Sequence, residues 1–124
     1  LVMSSAYQVV WEKFCQLWQI EMRTVPLTHE HITLDPKQAL AMCDENTICI
    51  VPIAGVTWTG MNDDIEALDH ELDQYNRRTG YEIPIHVDAA SGGFILPSTL
   101  SEETPISISS GRCGARERSL RLKG

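Results

Sequence analysis

Apolar residues in the first part of the chain recur with two alternating spacings, one typical of helices and one typical of strands. Steps of three and four residues predict a helix over 6–18, and residues typical of helix ends predict two more, over 35–43 and 62–78. Short alternating or continuous apolar runs predict strands over 1–4, 20–25, 47–53 and 83–88. The resulting order is β-α-β-α-β-α-β, which is typical of an α/β fold with a mostly parallel sheet flanked by helices.

Polar residues and glycine mark where these helices should begin and end. Ser4 or Ser5 is expected to cap the first helix, Asp35 the second and Asn62 the third, and Gly80 should stop the third. The acidic residues around the third helix have the spacing of a solvated face: Asp63, Asp64, Glu66, Asp69, Glu71 and Asp73. The aromatic residues of the first helix, Trp11, Phe14 and Trp18, are predicted to lie in the core.

The pattern changes after Gly93. Residues 98–104 are polar, and residues 112–123 contain half of the chain's 10 lysines and arginines without a clear periodicity. We therefore divide the chain into a folded part, 1–97, and a poorly ordered tail, 98–124, which is foreign to the fold.

Composition and charge exclude several classes of protein. The chain has 124 residues, one domain at most, and its net charge of -7 argues against a nucleic-acid partner. No apolar run approaches the roughly 20 residues that a membrane span needs. Four irregularly spaced cysteines without a Cys-x-x-Cys pair indicate neither a disulfide framework nor a zinc site, which favours a reducing, cytoplasmic setting. His29 and His31, with Glu30 between them, lack a nearby third ligand, so no metal is predicted.

Asp88 is the strongest candidate for chemistry. It ends a buried strand and is followed by two alanines, Ser91 and two glycines, which leaves room for a flat ligand at a strand carboxyl end. The alternative is a strand-end aspartate that caps the next turn, and spacing alone favours this second interpretation.

Four segments carry a resemblance to a known family. They are Gln-Val-Val-Trp-Glu-Lys-Phe at 8–14, Asp-Glu-Asn-Thr-Ile at 44–48, Gly-Val-Thr-Trp-Thr-Gly at 55–60 and His-Val-Asp-Ala-Ala-Ser-Gly-Gly at 86–93. Residues 1–97 resemble the group II pyridoxal-phosphate-dependent decarboxylases, and the second and third segments together point to the glutamate decarboxylases. The resemblance implies part of the large domain of a fold type I enzyme with pyridoxal 5'-phosphate as cofactor. The complete enzyme would be a homo-oligomer that converts L-glutamate to γ-aminobutyrate and carbon dioxide.

The resemblance also implies roles for individual residues. Asp88 would pair with the pyridine nitrogen, Ala90 and Gln8 would cover the two faces of the ring, and Thr57 would approach the cofactor hydroxyl or the substrate carboxylate. His86 either orients Asp88 from two residues away on the strand or is a satisfied buried histidine. We expect Gln8, Thr57, Asp88 and Ala90 to converge on one cleft.

The Schiff-base lysine that the resemblance requires is not where the family has it. In the family it lies in a Ser-Gly-His-Lys stretch, whereas here Ser110-Gly111 is followed by Arg112-Cys113, and Lys123 is the only lysine after Asp88. The family's phosphate-gripping Gly-Ser-Ser segment and small domain are likewise expected to be absent. The chain is therefore expected to be a truncated or frameshifted fragment, inactive alone and with no catalytic residue identified. Two alternatives remain open: a non-catalytic doubly wound ligand- or partner-binding domain, and another group II amino-acid decarboxylase.

Overall fold

The computed structural model describes residues 1–95, and the predicted tail lies outside them. The strands are β1 (Val2–Ser4), β2 (Arg23–Val25) and β3 (Ile50–Val51). The helices are α1 (Val9–Trp18), α2 (Pro36–Ala41) and α3 (Ile65–Thr79), and a 3₁₀ turn covers Gly92–Phe94. The predicted order of elements is confirmed, although most of them are shorter than expected.

The strands form a parallel sheet with β1 between β2 and β3. The predicted last strand adds to β3 through two parallel bridges, Ile50 with Ile85 and Ile53 with Asp88. Pro52 explains why this ladder is broken, because it lies between the two bridges and has no N–H to donate. The predicted parallel α/β architecture is confirmed, with a fourth strand reduced to bridges.

Alternate residues of the strands face two separate cores. Val2 and Ile50 pack with α2 and α3 on one face of the sheet, whereas Met3 and Val51 pack with α1 on the other. The sheet therefore lies between α1 and the α2–α3 pair. This arrangement follows from the two-residue period of a strand, which sends neighbouring side chains to opposite faces.

The predicted helix ends were right for the cap of α2 and for the ends of α1 and α3, and wrong for the starts of α1 and α3. Asp35 accepts hydrogen bonds from two backbone N–H groups of α2, and Gly80 ends α3 with a φ of 79°. The cap of α3 is Asp64 rather than Asn62, two residues later than predicted. Neither predicted serine caps α1, which begins after Gln8 without a side-chain cap.

Two predictions about burial were wrong. Asp63 is only 4% exposed rather than part of a solvated face. It precedes α3, and its carboxylate accepts the backbone N–H groups of Leu34 and Ile53, each at 2.7 Å. In α1, Phe14 is 40% exposed and Trp18 65% exposed, so neither is a core residue. Helical spacing defines an apolar stripe but does not say which part of it another element will cover.

Candidate functional site

The carboxyl ends of β1, β3 and the bridged 83–88 segment lie along one edge of the sheet, because all three run parallel. We call this side the carboxyl edge; it comprises the turns that follow Ser4, Ile53 and Asp88. Ligands of open α/β sheets bind at such an edge. Its connections hold all the cofactor-binding residues predicted from the sequence.

Both carboxylate oxygens of Asp88 are held by donors. Oδ2 accepts the indole Nε1–H of Trp11 at 2.7 Å, although the two residues are 77 positions apart. Oδ1 accepts the backbone N–H of Ala90 at 3.2 Å. The second bond is the turn-capping contact that spacing alone favoured, so Asp88 caps its turn while it also faces α1. A carboxylate has about four lone-pair positions, so two donors leave capacity for a further N–H group.

The indole of Trp11 is itself packed between two rings. It meets His86 edge-to-face at 5.5 Å between centroids and Phe14 at 5.9 Å. Since His86 and Asp88 both contact Trp11, they lie on the α1 face of the sheet. The side chain that reaches the Asp88 carboxylate comes from Trp11, and His86 touches the indole instead.

Gly92 connects the turn that follows Asp88 to the turn that follows Ile53 at the carboxyl edge. The Gly92 N–H donates to the carbonyl of Ala54 at 3.0 Å, and the Ala54 N–H donates to the carbonyl of Asp88 at 2.8 Å. A Cβ on Gly92 would lie 2.5 Å from the Ala54 oxygen, and Gly55 has a φ of +87°. Glycine at 92 therefore permits the close backbone contact that fixes the turn after Asp88.

Replacement of Gly92 by Ala is expected to destabilise the chain by about 1–3 kcal/mol, the usual cost of forcing an extra methyl into a packed site. The clash is with backbone atoms, which cannot rotate away. Gly93→Ala is the control, because its Cβ would meet only the Ala89 methyl, at 3.1 Å. Urea unfolding followed by circular dichroism measures both changes, and equal midpoints would contradict this account of Gly92.

The other predicted residues lie on the carboxyl edge in different surroundings. Gln8 precedes α1, and its carbonyl accepts the N–H of Trp11 at 3.0 Å, which places the start of α1 on the same face as Asp88. Thr57 is exposed in the turn after β3, and Ala90 is exposed beside Asp88. Ala90 contacts Asp88 directly, whereas Gln8 and Thr57 share only its edge of the sheet.

An apolar groove of about 610 Å³ runs beneath α1 and reaches Asp88 at one end. Its walls include Val10 and Phe14 from α1, and Cys49 and Ile85 from the sheet. Burial raises the pKa of the Cys49 thiol and so favours its protonated form. Most of the groove is lined by apolar residues and lies away from the carboxyl edge. The Asp88 carboxylate stands at the end that reaches this edge. Gln8, Thr57 and Ala90 are not among the described residues that line it.

Trp11 is the site residue that sequence reasoning missed. It was predicted to be in the core, but it is half-buried and donates to Asp88. One signal was available, because a partly buried indole N–H usually needs an acceptor. A single turn of helix separates it from Gln8, which is already a predicted site residue.

Residues 1–95 carry neither a metal-binding cluster nor a membrane-spanning helix. They contain no group of three or more side chains suited to hold a metal ion. No helix in that range has both the length and the apolar character needed to cross a membrane.

Comparison with known proteins gives a consistent family. The model of the pyridoxal-dependent decarboxylase conserved domain matches residues 1–108. Glutamate decarboxylase beta of Listeria monocytogenes is 56% identical over 97 residues, and glutamate decarboxylase of Lactococcus lactis is 53% identical over 97 residues. Each alignment covers 78% of this chain and 21% of the relative, so the chain spans about a fifth of these proteins.

Solved structures agree with the sequence comparison. The chain is similar to a Lactobacillus brevis glutamate decarboxylase, with a TM-score of 0.78 and 48% identity over 82% of this chain and 23% of that one. A Burkholderia pseudomallei sphingosine-1-phosphate lyase has a TM-score of 0.70 at 21% identity, covering 89% of this chain and 24% of that one, which shows a shared fold. The chain belongs to the pyridoxal-dependent decarboxylase family.

Proposed function

We propose that this chain is the part of a glutamate decarboxylase that holds the pyridine nitrogen of pyridoxal 5'-phosphate. The complete enzyme would convert L-glutamate to γ-aminobutyrate and carbon dioxide. The observation that carries the proposal is the Asp88 carboxylate, held by Trp11 and Ala90 at the carboxyl edge and able to accept one more hydrogen bond. The identity to glutamate decarboxylases supports the choice of substrate.

The described residues fit the aromatic end of this cofactor. The negative charge of Asp88 would favour a protonated pyridine nitrogen and accept its N–H. Ala90 presents only an exposed methyl group beside that carboxylate, which leaves space for a flat ring. When bound, pyridoxal phosphate supplies the electron sink for loss of a carboxylate.

The remaining predicted residues complete the proposed site. Gln8 would cover the ring from the start of α1, on the face of the sheet that Asp88 occupies. Thr57 would bind the cofactor hydroxyl or the substrate carboxylate from the turn after β3. His86 would act indirectly, by packing against the indole that holds Asp88.

Catalysis also requires a lysine, and the positions of the chain's lysines bear on activity. Lys13 is exposed on α1, Lys37 is exposed in the first turn of α2 on the opposite side of the sheet, and Lys123 lies outside the described residues. The family's His-Lys pair is replaced by Arg112-Cys113. We therefore propose that residues 1–97 form part of the large domain, and that the isolated chain does not decarboxylate glutamate.

The cellular setting is proposed on similar grounds. Cys15, Cys43 and Cys49 are free thiols, which is usual in the reducing cytoplasm. The acidic net charge argues against binding to nucleic acid. We expect the complete enzyme to be a homo-oligomer, as the family resemblance implies.

A chimera tests the proposed function with the lysine and the phosphate site supplied. Residues 1–97 of this chain replace the aligned segment of the Listeria monocytogenes relative. The chimera should bind pyridoxal phosphate and release γ-aminobutyrate from glutamate at a rate within about tenfold of the parent. The reason is that the residues proposed to hold the cofactor ring are chemically equivalent to those they replace. The isolated 124-residue chain, assayed in parallel, should release none above a heat-killed control.

Three outcomes would overturn parts of this proposal. A folded chimera that binds no cofactor would support a non-catalytic binding domain instead. A chimera that accepts another amino acid in preference to glutamate would contradict the proposal that glutamate is the substrate. Carbon dioxide release by the isolated chain would overturn the inactive-fragment interpretation and direct attention to Lys123.

A further inference from the structure

Trp11 makes a long-range contact that the proposed roles of the other site residues do not include. Its Nε1–H donates to Oδ2 of Asp88 at 2.7 Å, a short distance for a hydrogen bond from nitrogen to a carboxylate oxygen. The opposite oxygen, Oδ1, accepts the Ala90 N–H at 3.2 Å. With one donor on each oxygen, the carboxylate plane cannot rotate freely about the bond to Cβ.

The indole is held in place before any ligand arrives. Edge-to-face contacts with Phe14 and His86 restrain it on two sides, at centroid distances of 5.9 and 5.5 Å. Such ring pairs contribute beyond their buried area because a positive ring edge meets a negative ring face. The backbone N–H of Trp11 donates to the Gln8 carbonyl in the first turn of α1, which fixes the base of the side chain.

An indole suits this position for a chemical reason. It is a donor only and does not change its protonation in the physiological range, so its bond to Asp88 persists as pH varies. It carries no positive charge, so it does not neutralise the carboxylate. Asp88 therefore keeps the full negative charge that a protonated ring nitrogen would need as its partner.

We propose that Trp11 is a positioning residue that holds the Asp88 carboxylate in the orientation required to pair with the pyridine nitrogen. This inference rests on the proposed function of Asp88. Helix α1 would then help to keep the pyridine nitrogen of the cofactor protonated, in addition to providing Gln8, which covers one face of the ring.

The test compares Trp11→Phe with Trp18→Phe in the chimeric enzyme that contains residues 1–97. Phenylalanine keeps an aromatic ring but removes the N–H donor, whereas Trp18 is 65% exposed and serves as the matched control. Trp11→Phe should lower kcat about tenfold with little change in KM for glutamate. It should also weaken pyridoxal phosphate binding several-fold in equilibrium dialysis and shift the pH dependence of the cofactor's absorbance. Trp18→Phe should leave all four quantities unchanged.

A shape-matched variant separates positioning from packing. Incorporation of 3-benzothienylalanine at position 11 keeps the bicyclic ring and replaces only the N–H with sulfur. It should reproduce the tenfold loss and the spectral shift while the ring keeps its packing against Phe14 and His86. If this variant behaves like the unmodified chimera, the hydrogen bond has no positioning role and the inference is overturned; it also decides the question if Trp11→Phe does not fold.

Asp88→Asn in the same chimera distinguishes this inference from the proposed function. If Asp88→Asn leaves cofactor binding and activity intact, the role of Asp88 itself is wrong. If Asp88→Asn abolishes activity while both Trp11 variants match Trp18→Phe, only the role of Trp11 is wrong.

Discussion

Replacement of Asp88 by Asn should lower kcat of the chimeric decarboxylase at least about 100-fold, a loss of the size seen when a preorganised electrostatic partner of the reacting system is removed. Asparagine has the same shape, and its amide oxygen can still accept the Trp11 N–H. What disappears is the negative charge that favours a protonated pyridine nitrogen, together with the oxygen that accepts the Ala90 N–H. The measurement is γ-aminobutyrate formation together with the absorbance spectrum of the bound cofactor.

The control for this change is Asp73→Asn. Asp73 lies on the exposed side of α3 and pairs with Arg77 at 2.7 Å, so its loss should change kcat by less than twofold. A kcat for Asp88→Asn within twofold of the unmodified chimera would be incompatible with the proposed pairing to the cofactor.

Replacement of Asp63 by Ala should destabilise the chain by about 3–5 kcal/mol. The carboxylate is 4% exposed and accepts two backbone N–H groups at 2.7 Å, from Leu34 and Ile53. Hydrogen bonds to a charged group contribute about 1.5–3 kcal/mol each, and alanine would leave both N–H groups buried without a partner. Asp63 links the segment before α2, through Leu34, to Ile53 beyond β3. Its loss should therefore also increase the mobility of the turn that follows Ile53 at the carboxyl edge.

Asp64→Ala is a control one residue away. Asp64 is exposed and caps α3 by accepting the Ala67 N–H at 2.9 Å, so its loss should cost about 1 kcal/mol. Urea unfolding followed by circular dichroism compares the two variants. A midpoint for Asp63→Ala no lower than that for Asp64→Ala would show that the buried bonds do not stabilise the fold as expected.

The helix ends show how far local sequence reasoning reaches. Asp35 caps α2 through N–H groups two and three residues away, and Gly80 ends α3 through its own positive φ. Both effects depend on neighbours along the chain, so the sequence was sufficient to predict them. The start of α3 was misplaced because three polar residues in a row, Asn62, Asp63 and Asp64, can each cap a helix. Asp63 is instead engaged by the backbone N–H groups of Leu34 and Ile53, which leaves Asp64 as the cap.

The candidate site was predictable in part for the same reason. Asp88 was found because a buried apolar run ends there, and its bond to Ala90 is local. The contact with Trp11 spans 77 positions, and nothing in the periodicity of α1 distinguishes that indole from the exposed one at Trp18. The direction of His86 toward Trp11 likewise depends on how α1 lies across the sheet.

The sequence by itself therefore determined the alternation of elements, the parallel sheet and the family, because these depend on apolar spacing and on short contiguous motifs. The tertiary structure alone decided that Asp63 turns inward, that Phe14 and Trp18 remain exposed, and that Trp11 holds Asp88. Each of these depends on the register and orientation with which distant segments pack. A buried hydrogen bond between them forms only when both are fixed, so no local pattern in either segment can specify it.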